Sequence, residues 1–66
     1  MTRSDIVEIN VFVRHRTERG ALVQSAYTAR EPVWVPLSLV EIDENDDGKT
    51  HRLHIPEWLA IQKGLV

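Results

Sequence analysis

The sequence predicts a small α+β domain, an antiparallel sheet of about four strands arranged as two hairpins with one short C-terminal helix packed on it. Three observations predict it. Residues 6–16 alternate with period two and are rich in β-branched side chains. Polar, glycine-containing breaks then separate further short apolar runs, as hairpin turns do. At Pro56 the spacing of apolar residues changes to that of a helix.

In the first strand, Val7, Ile9, Val11 and Val13 fall on one side, and Ile6, Glu8, Asn10, Phe12, Arg14 and Arg16 on the other. Thr17-Glu18-Arg19-Gly20 supplies a turn whose glycine can take positive φ, and apolar character resumes over 21–27. Pro32 biases Glu31 away from helix. The third strand begins at Val33 and, despite Pro36, is expected to continue to about Ile42, with Trp34 and Leu39 packed beneath the helix. Pro36 marks a bulge or a strand end because it has no N–H to give to the ladder. The acidic run Asp43-Glu44-Asn45-Asp46-Asp47-Gly48 ends in an Asp-Gly pair suited to a tight turn. Residues 49–55 alternate again as a fourth strand, with His51, Leu53 and Ile55 on one side and Thr50, Arg52 and His54 on the other. Pro56 suits a helix start, Glu57 its positive end, and Gly64 its C-terminal cap. Trp58, Ile61 and Leu65, with Leu59 beside them, form the stripe expected to lie on the sheet.

At 66 residues the chain is one small domain, a size at which folding removes only about 60% of the unfolded surface from water. Without cysteine it has neither a disulfide nor a thiolate. Dimerisation or docking on a partner would supply the burial that such a core lacks. Eight basic and ten acidic residues, a net charge of −2, do not give the strongly basic balance of a non-specific nucleic-acid binder. The N-terminal residues 1–5 do not read as a signal peptide, and no stretch reaches the roughly 20 apolar residues of a membrane span. A cytoplasmic domain without a membrane partner is expected.

The acidic run matches the first half of an EF-hand loop, but the twelfth position is His54 and a strand follows, so it reads as a solvated turn. His51 and His54 are three apart and on a strand point to opposite faces, which argues against a shared metal. Ser38 lacks a nucleophile elbow and more readily uses its hydroxyl on a backbone group near Pro36. No catalytic residue, cofactor or metal site is therefore assigned. Arg14, His15, Arg16 and Arg19 gather about the first hairpin, with Arg30 arriving from the next loop, where they could meet phosphates, with Phe12, Tyr27 and Trp34 as stacking platforms, or an acidic protein surface. Asp46 and Asp47 mark the opposing acidic tip. Trp34 and Trp58 are candidate interface anchors, although their positions favour the core.

Val33-Trp34-Val35-Pro36-Leu37-Ser38-Leu39-Val40 and Ile55-Pro56-Glu57-Trp58-Leu59-Ala60-Ile61-Gln62-Lys63-Gly64-Leu65 together resemble two segments of a family of small uncharacterised phage and prophage proteins. Those segments read Trp-Ile-Pro-Lys-Ser-Gln-Ile and Val-Pro-Glu-Trp-Leu-Ala-x-x-Lys-Gly-Leu. The resemblance covers about half of the chain. Leu37 and Leu39 stand where the pattern has Lys and Gln, so polar contacts made there do not carry over. The resemblance implies a mobile-element origin and no catalytic residue. The expectation is a non-catalytic protein-binding module, an anti-CRISPR-like inhibitor of a host defence or replication protein in the host cytoplasm, with Arg14, Arg16, Arg19, Arg30, Asp46 and Asp47 as partner-binding residues. The alternatives are a nucleic-acid accessory protein using the four arginines, and a homodimer formed through a sheet edge.

Overall fold

The computed structural model describes residues 5–28 and 30–66; the N-terminal reading above falls largely on residues 1–4, outside them. Five strands and one helix follow in order: β1 (Ile6–Arg16), β2 (Gly20–Ser25), β3 (Val33–Pro36), β4 (Glu41–Glu44), β5 (His51–Pro56) and α1 (Glu57–Gln62). All pairings are antiparallel and the sheet order is β3-β2-β1-β5-β4. The α+β class holds, with five strands rather than about four. The third predicted strand is in fact two, β3 and β4, which lie on opposite edges of the sheet.

Pro36 is where that strand ends, level with Gly20 of β2. Leu37 donates its N–H to the Arg19 carbonyl (2.8 Å) and Leu39 donates to the Pro36 carbonyl (3.1 Å), so the chain turns away. The turn is closed by backbone groups, and Ser38 makes no side-chain hydrogen bond among the described residues, contrary to the role expected for it.

The pairing of β1 explains how so short a turn reaches the far edge. Residues 6–11 of β1 pair with β5 and residues 11–16 with β2; Val11 is in register with both Ser25 and His51. Pro36 lies level with Thr17 by way of Gly20, whereas Glu41 lies level with Glu8 by way of His54. Nine residues of β1 separate those levels, about 30 Å along a straight strand, whereas residues 37–40 can bridge at most about 18 Å. The sheet must therefore coil on itself as a staggered, half-open barrel. Its inner face holds the core: Ile9, Val11, Ala21, Val23, Val35, Val40, Leu53 and Ile55, completed by Leu59, Ala60 and Leu65.

α1 begins after Pro56, which occupies the N-cap position and is buried; Glu57 donates its N–H to the Asp5 carbonyl (2.8 Å). It ends in a Schellman arrangement: Leu65 N–H donates to Ala60 (2.8 Å), Gly64 N–H to Ile61 (3.1 Å), and Gly64 has φ +74°. The buried stripe is Leu59, Ala60 and Leu65, while Trp58 and Ile61 face outward, more than half exposed. Entry from β5 sets this rotation, because the Pro56 junction brings Leu59 and Ala60 over the sheet. Trp34 (46% exposed) and Leu39 (47%) also lie outside the core, so neither packs beneath the helix.

Gly20 does not take positive φ. Its missing side chain matters because a Cβ there would come within 3.1 Å of the Val35 carbonyl and 3.5 Å of the Trp34 ring. Leu53, fully buried on β5, tests this core directly. Leu53→Ala should lower the unfolding free energy by about 2–5 kcal/mol in urea titration; a loss below about 1 kcal/mol would contradict its central packing.

Candidate binding surface

The outer face of the coiled sheet divides into two chemically distinct halves. A β-bulge creates the first half: Val13 pairs with Val23, but the next pair is His15 with Leu22, leaving Arg14 as the extra residue. Strict alternation predicts Arg14 and Arg16 on one face. The bulge instead sends Arg14 and His15 outward together and turns Arg16, opposite Ala21, toward the inner side.

Arg14 then lies over Phe12, its guanidinium carbon 4.8 Å from the ring centroid, and donates through Nε (2.9 Å) and Nη2 (2.7 Å) to Oε1 of Gln24. His15 meets Trp34 edge-on, with ring centroids 6.0 Å apart at 87°. Leu22 lies between their strands, in register with both. The result is a half-exposed indole beside an imidazole and an arginine-covered phenyl ring. Trp34 points outward because its neighbours Val33 and Val35 point inward.

The second half is polar and rich in carboxylates. His54 contacts Asp43 (3.0 Å) through Nε2 and Glu8 (3.7 Å) through Nδ1, and Arg52 lies 3.9 Å from Glu8. The exposed Arg52–Glu8 pair contributes about 0–1 kcal/mol. The two histidine nitrogens face different carboxylates, and His51 lies on the inner face with a buried, unpartnered Nδ1. The two histidines do point to opposite faces. Among the described residues no group of three or more His, Asp or Glu side chains is placed to hold a metal ion.

The predicted arginine cluster is dispersed. Arg14 holds the outer face and Arg16 the inner side. Arg19 sits at the β1–β2 tip, where its carbonyl receives Leu37. Arg30 lies in the β2–β3 loop, its carbonyl accepting from Nε2 of Gln24 (2.8 Å). Gln24 thus joins Arg14 to the backbone of Arg30. None of the four arginines is in an ion pair among the described residues.

Asp46 and Asp47 lie in the β4–β5 turn, where Gly48 has φ +69°. Asp47 is engaged by that turn itself: Oδ1 accepts the N–H groups of Lys49 (2.8 Å) and Thr50 (2.9 Å), and Oδ2 accepts the Thr50 hydroxyl (2.7 Å). The Thr50 hydroxyl also accepts from Nδ2 of Asn45, which donates to Oδ1 of Asn10 (3.1 Å), while Asn10 donates to the Tyr27 hydroxyl. This polar chain ties two loops across β1. Leu22 and Gln24 carry no signal in the sequence that would place them here, and His15, expected in the basic cluster, reaches this face only through the bulge, which leaves no mark in the alternation of 6–16.

No family model, curated protein or solved structure matches the chain.

Hydrogen bonds from the Thr50 and Lys49 backbone and the Thr50 hydroxyl hold Asp47 well below the ordinary carboxylate range, at about 2. A depressed folded-state pKa means that the ionised group stabilises the fold above its unfolded value of 3.8, and that this contribution disappears as the pH falls toward 2. The Asp47 side-chain carbonyl should titrate by NMR with a midpoint near 2, and Asp47→Asn should make the acid-induced loss of stability between 3.8 and 2 shallower. A midpoint near 3.8 would show that the turn does not engage the carboxylate.

Proposed function

We propose that the protein is a non-catalytic protein-binding module that engages its partner with the Trp34-centred half of the outer sheet face. One observation carries this reading: a 46% exposed tryptophan standing beside His15 and the Arg14-covered Phe12. Tryptophan, tyrosine and arginine dominate the energetics of protein interfaces, and a preformed aromatic surface loses little conformational entropy on docking. The unpaired arginines favour a partner surface carrying carboxylates.

The resemblance to phage proteins supports a partner in a host cell and an inhibitory, steric mode of action. A homodimer through a sheet edge is less favoured. β3 lies between Pro32 and Pro36, and β4 presents Glu41, Asp43 and Glu44, all features that discourage edge pairing. The nucleic-acid reading loses support from the dispersal of the arginines and from Glu8, Glu41 and Asp43 on the same outer face.

Affinity capture from the host extract, followed by reconstitution with the purified captured protein, tests the reading. Trp34→Ala and Arg14→Glu should each weaken the reconstituted complex tenfold or more while leaving thermal stability nearly unchanged. Undiminished binding by both variants would sink the assignment of this face. Salt-sensitive binding of a single-stranded oligonucleotide, lost in Arg14→Glu, would transfer the face to the nucleic-acid reading.

A further inference from the structure

A cavity of about 440 Å³ opens between the β2–β3 loop and the turn after α1, lined by Ser25, Arg30, Glu31, Val33, Lys63, Gly64 and Leu65. It lies apart from the Trp34 surface, and its volume falls in the range of small-ligand sites. Its cationic residues are positioned by the fold. Arg30 is tethered through its carbonyl to Gln24 (2.8 Å), and its Nη1 lies against Gly64, 3.4 Å from where a Cβ would stand. Lys63 is the half-buried C-cap of α1. Neither cation is in an ion pair among the described residues, although Glu31 lines the same cavity. Ser25 is 5% exposed; its Oγ accepts the Tyr27 N–H (3.1 Å), and its hydroxyl proton has no acceptor among the described residues. Two cations, a buried hydroxyl donor and an apolar wall of Val33 and Leu65 thus converge on one space.

We propose that this cavity binds a monoanionic carboxylate carried on a short branched apolar stem, either a free acid or the C-terminal carboxylate of a peptide ending in leucine. Arg30 and Lys63 supply charge-assisted hydrogen bonds, the Ser25 hydroxyl donates a third, and the stem lies on Val33 and Leu65. Glu31 in the wall offsets one of the two cations, so the lining carries a formal net charge of +1, which matches a monoanion better than a dianion such as phosphate. Gly64 is required twice, for its positive φ and for the room it leaves beside the guanidinium.

Two-dimensional ¹⁵N–¹H NMR of the full chain at low ionic strength tests this with sodium isovalerate, isovaleramide, inorganic phosphate and a short leucine-terminated peptide in free and amidated forms. Isovalerate should shift the amides of Ser25, Arg30, Val33, Gly64 and Leu65 saturably, and isovaleramide should not. Arg30→Gln and Lys63→Gln should each weaken the binding about tenfold, the loss expected for a charge-assisted hydrogen bond. Both change side chains outside the core, and the dispersion of the remaining amides reports whether each variant is folded. Tighter binding of the free-carboxylate peptide than of isovalerate, with none by its amide, identifies a peptide terminus as the ligand, and the reverse order identifies a free acid. The absence of saturation, equal binding of phosphate, or unchanged affinity in both variants would overturn the proposal.

Discussion

The double pairing of β1 is the constraint on which the rest of the structure depends. Its first half belongs to β5 and its second half to β2, and Val11, fully buried, stands in register with a partner on each side. The two halves of the sheet therefore share one strand, and the short connection over residues 37–40 can join its outer edges only if that strand coils. Coiling folds the inner faces toward each other and lets a chain of this length enclose Leu53, Ile55, Val23 and Val35 completely. The same curvature turns the opposite face outward, where Trp34, His15 and Arg14 stand clear of the core.

Much of this was legible in the residues. The strand over 6–16, the helix start at Pro56 and the Gly64 cap follow from local rules, and the structure contains each of them, although the alternation holds only as far as Val13. What local rules did not reveal was the fate of the apolar run 33–40. Proline at 36 signalled a break, but nothing in the run says that its two sides join opposite edges of a sheet, because that is settled by pairing with β2 and β5 far along the chain. The two tryptophans were misplaced for a related reason. Burial tendency is an average, whereas the side of Trp34 is set by Val33 and Val35, and that of Trp58 by Leu59 and Ala60.

The bulge at Arg14 shows how one inserted residue rearranges a surface. Without it, Arg14 and Arg16 would share a face and His15 would point inward beside Val13. With it, an imidazole reaches the indole of Trp34, and the arginines separate into different environments, with Gln24 joining Arg14 to the backbone of Arg30. Charge that reads in the sequence as a single patch is distributed over an aromatic face, a hairpin tip and the mouth of a cavity. The acidic tip divides similarly, because Asp47 organises its own turn and Asp46 remains exposed. Which side chains this scaffold turns outward is thus decided by the bulge and the coil, and charge counting alone does not reveal it.

The coil itself is tested most directly by cross-strand nuclear Overhauser effects in the isotope-labelled chain. Contacts are expected from Val11 to both Ser25 and His51, from Val35 to Ala21, and from Ile42 to Leu53. Contacts placing residues 33–42 as one continuous strand along a single partner would contradict it, and with it the outward placement of Trp34.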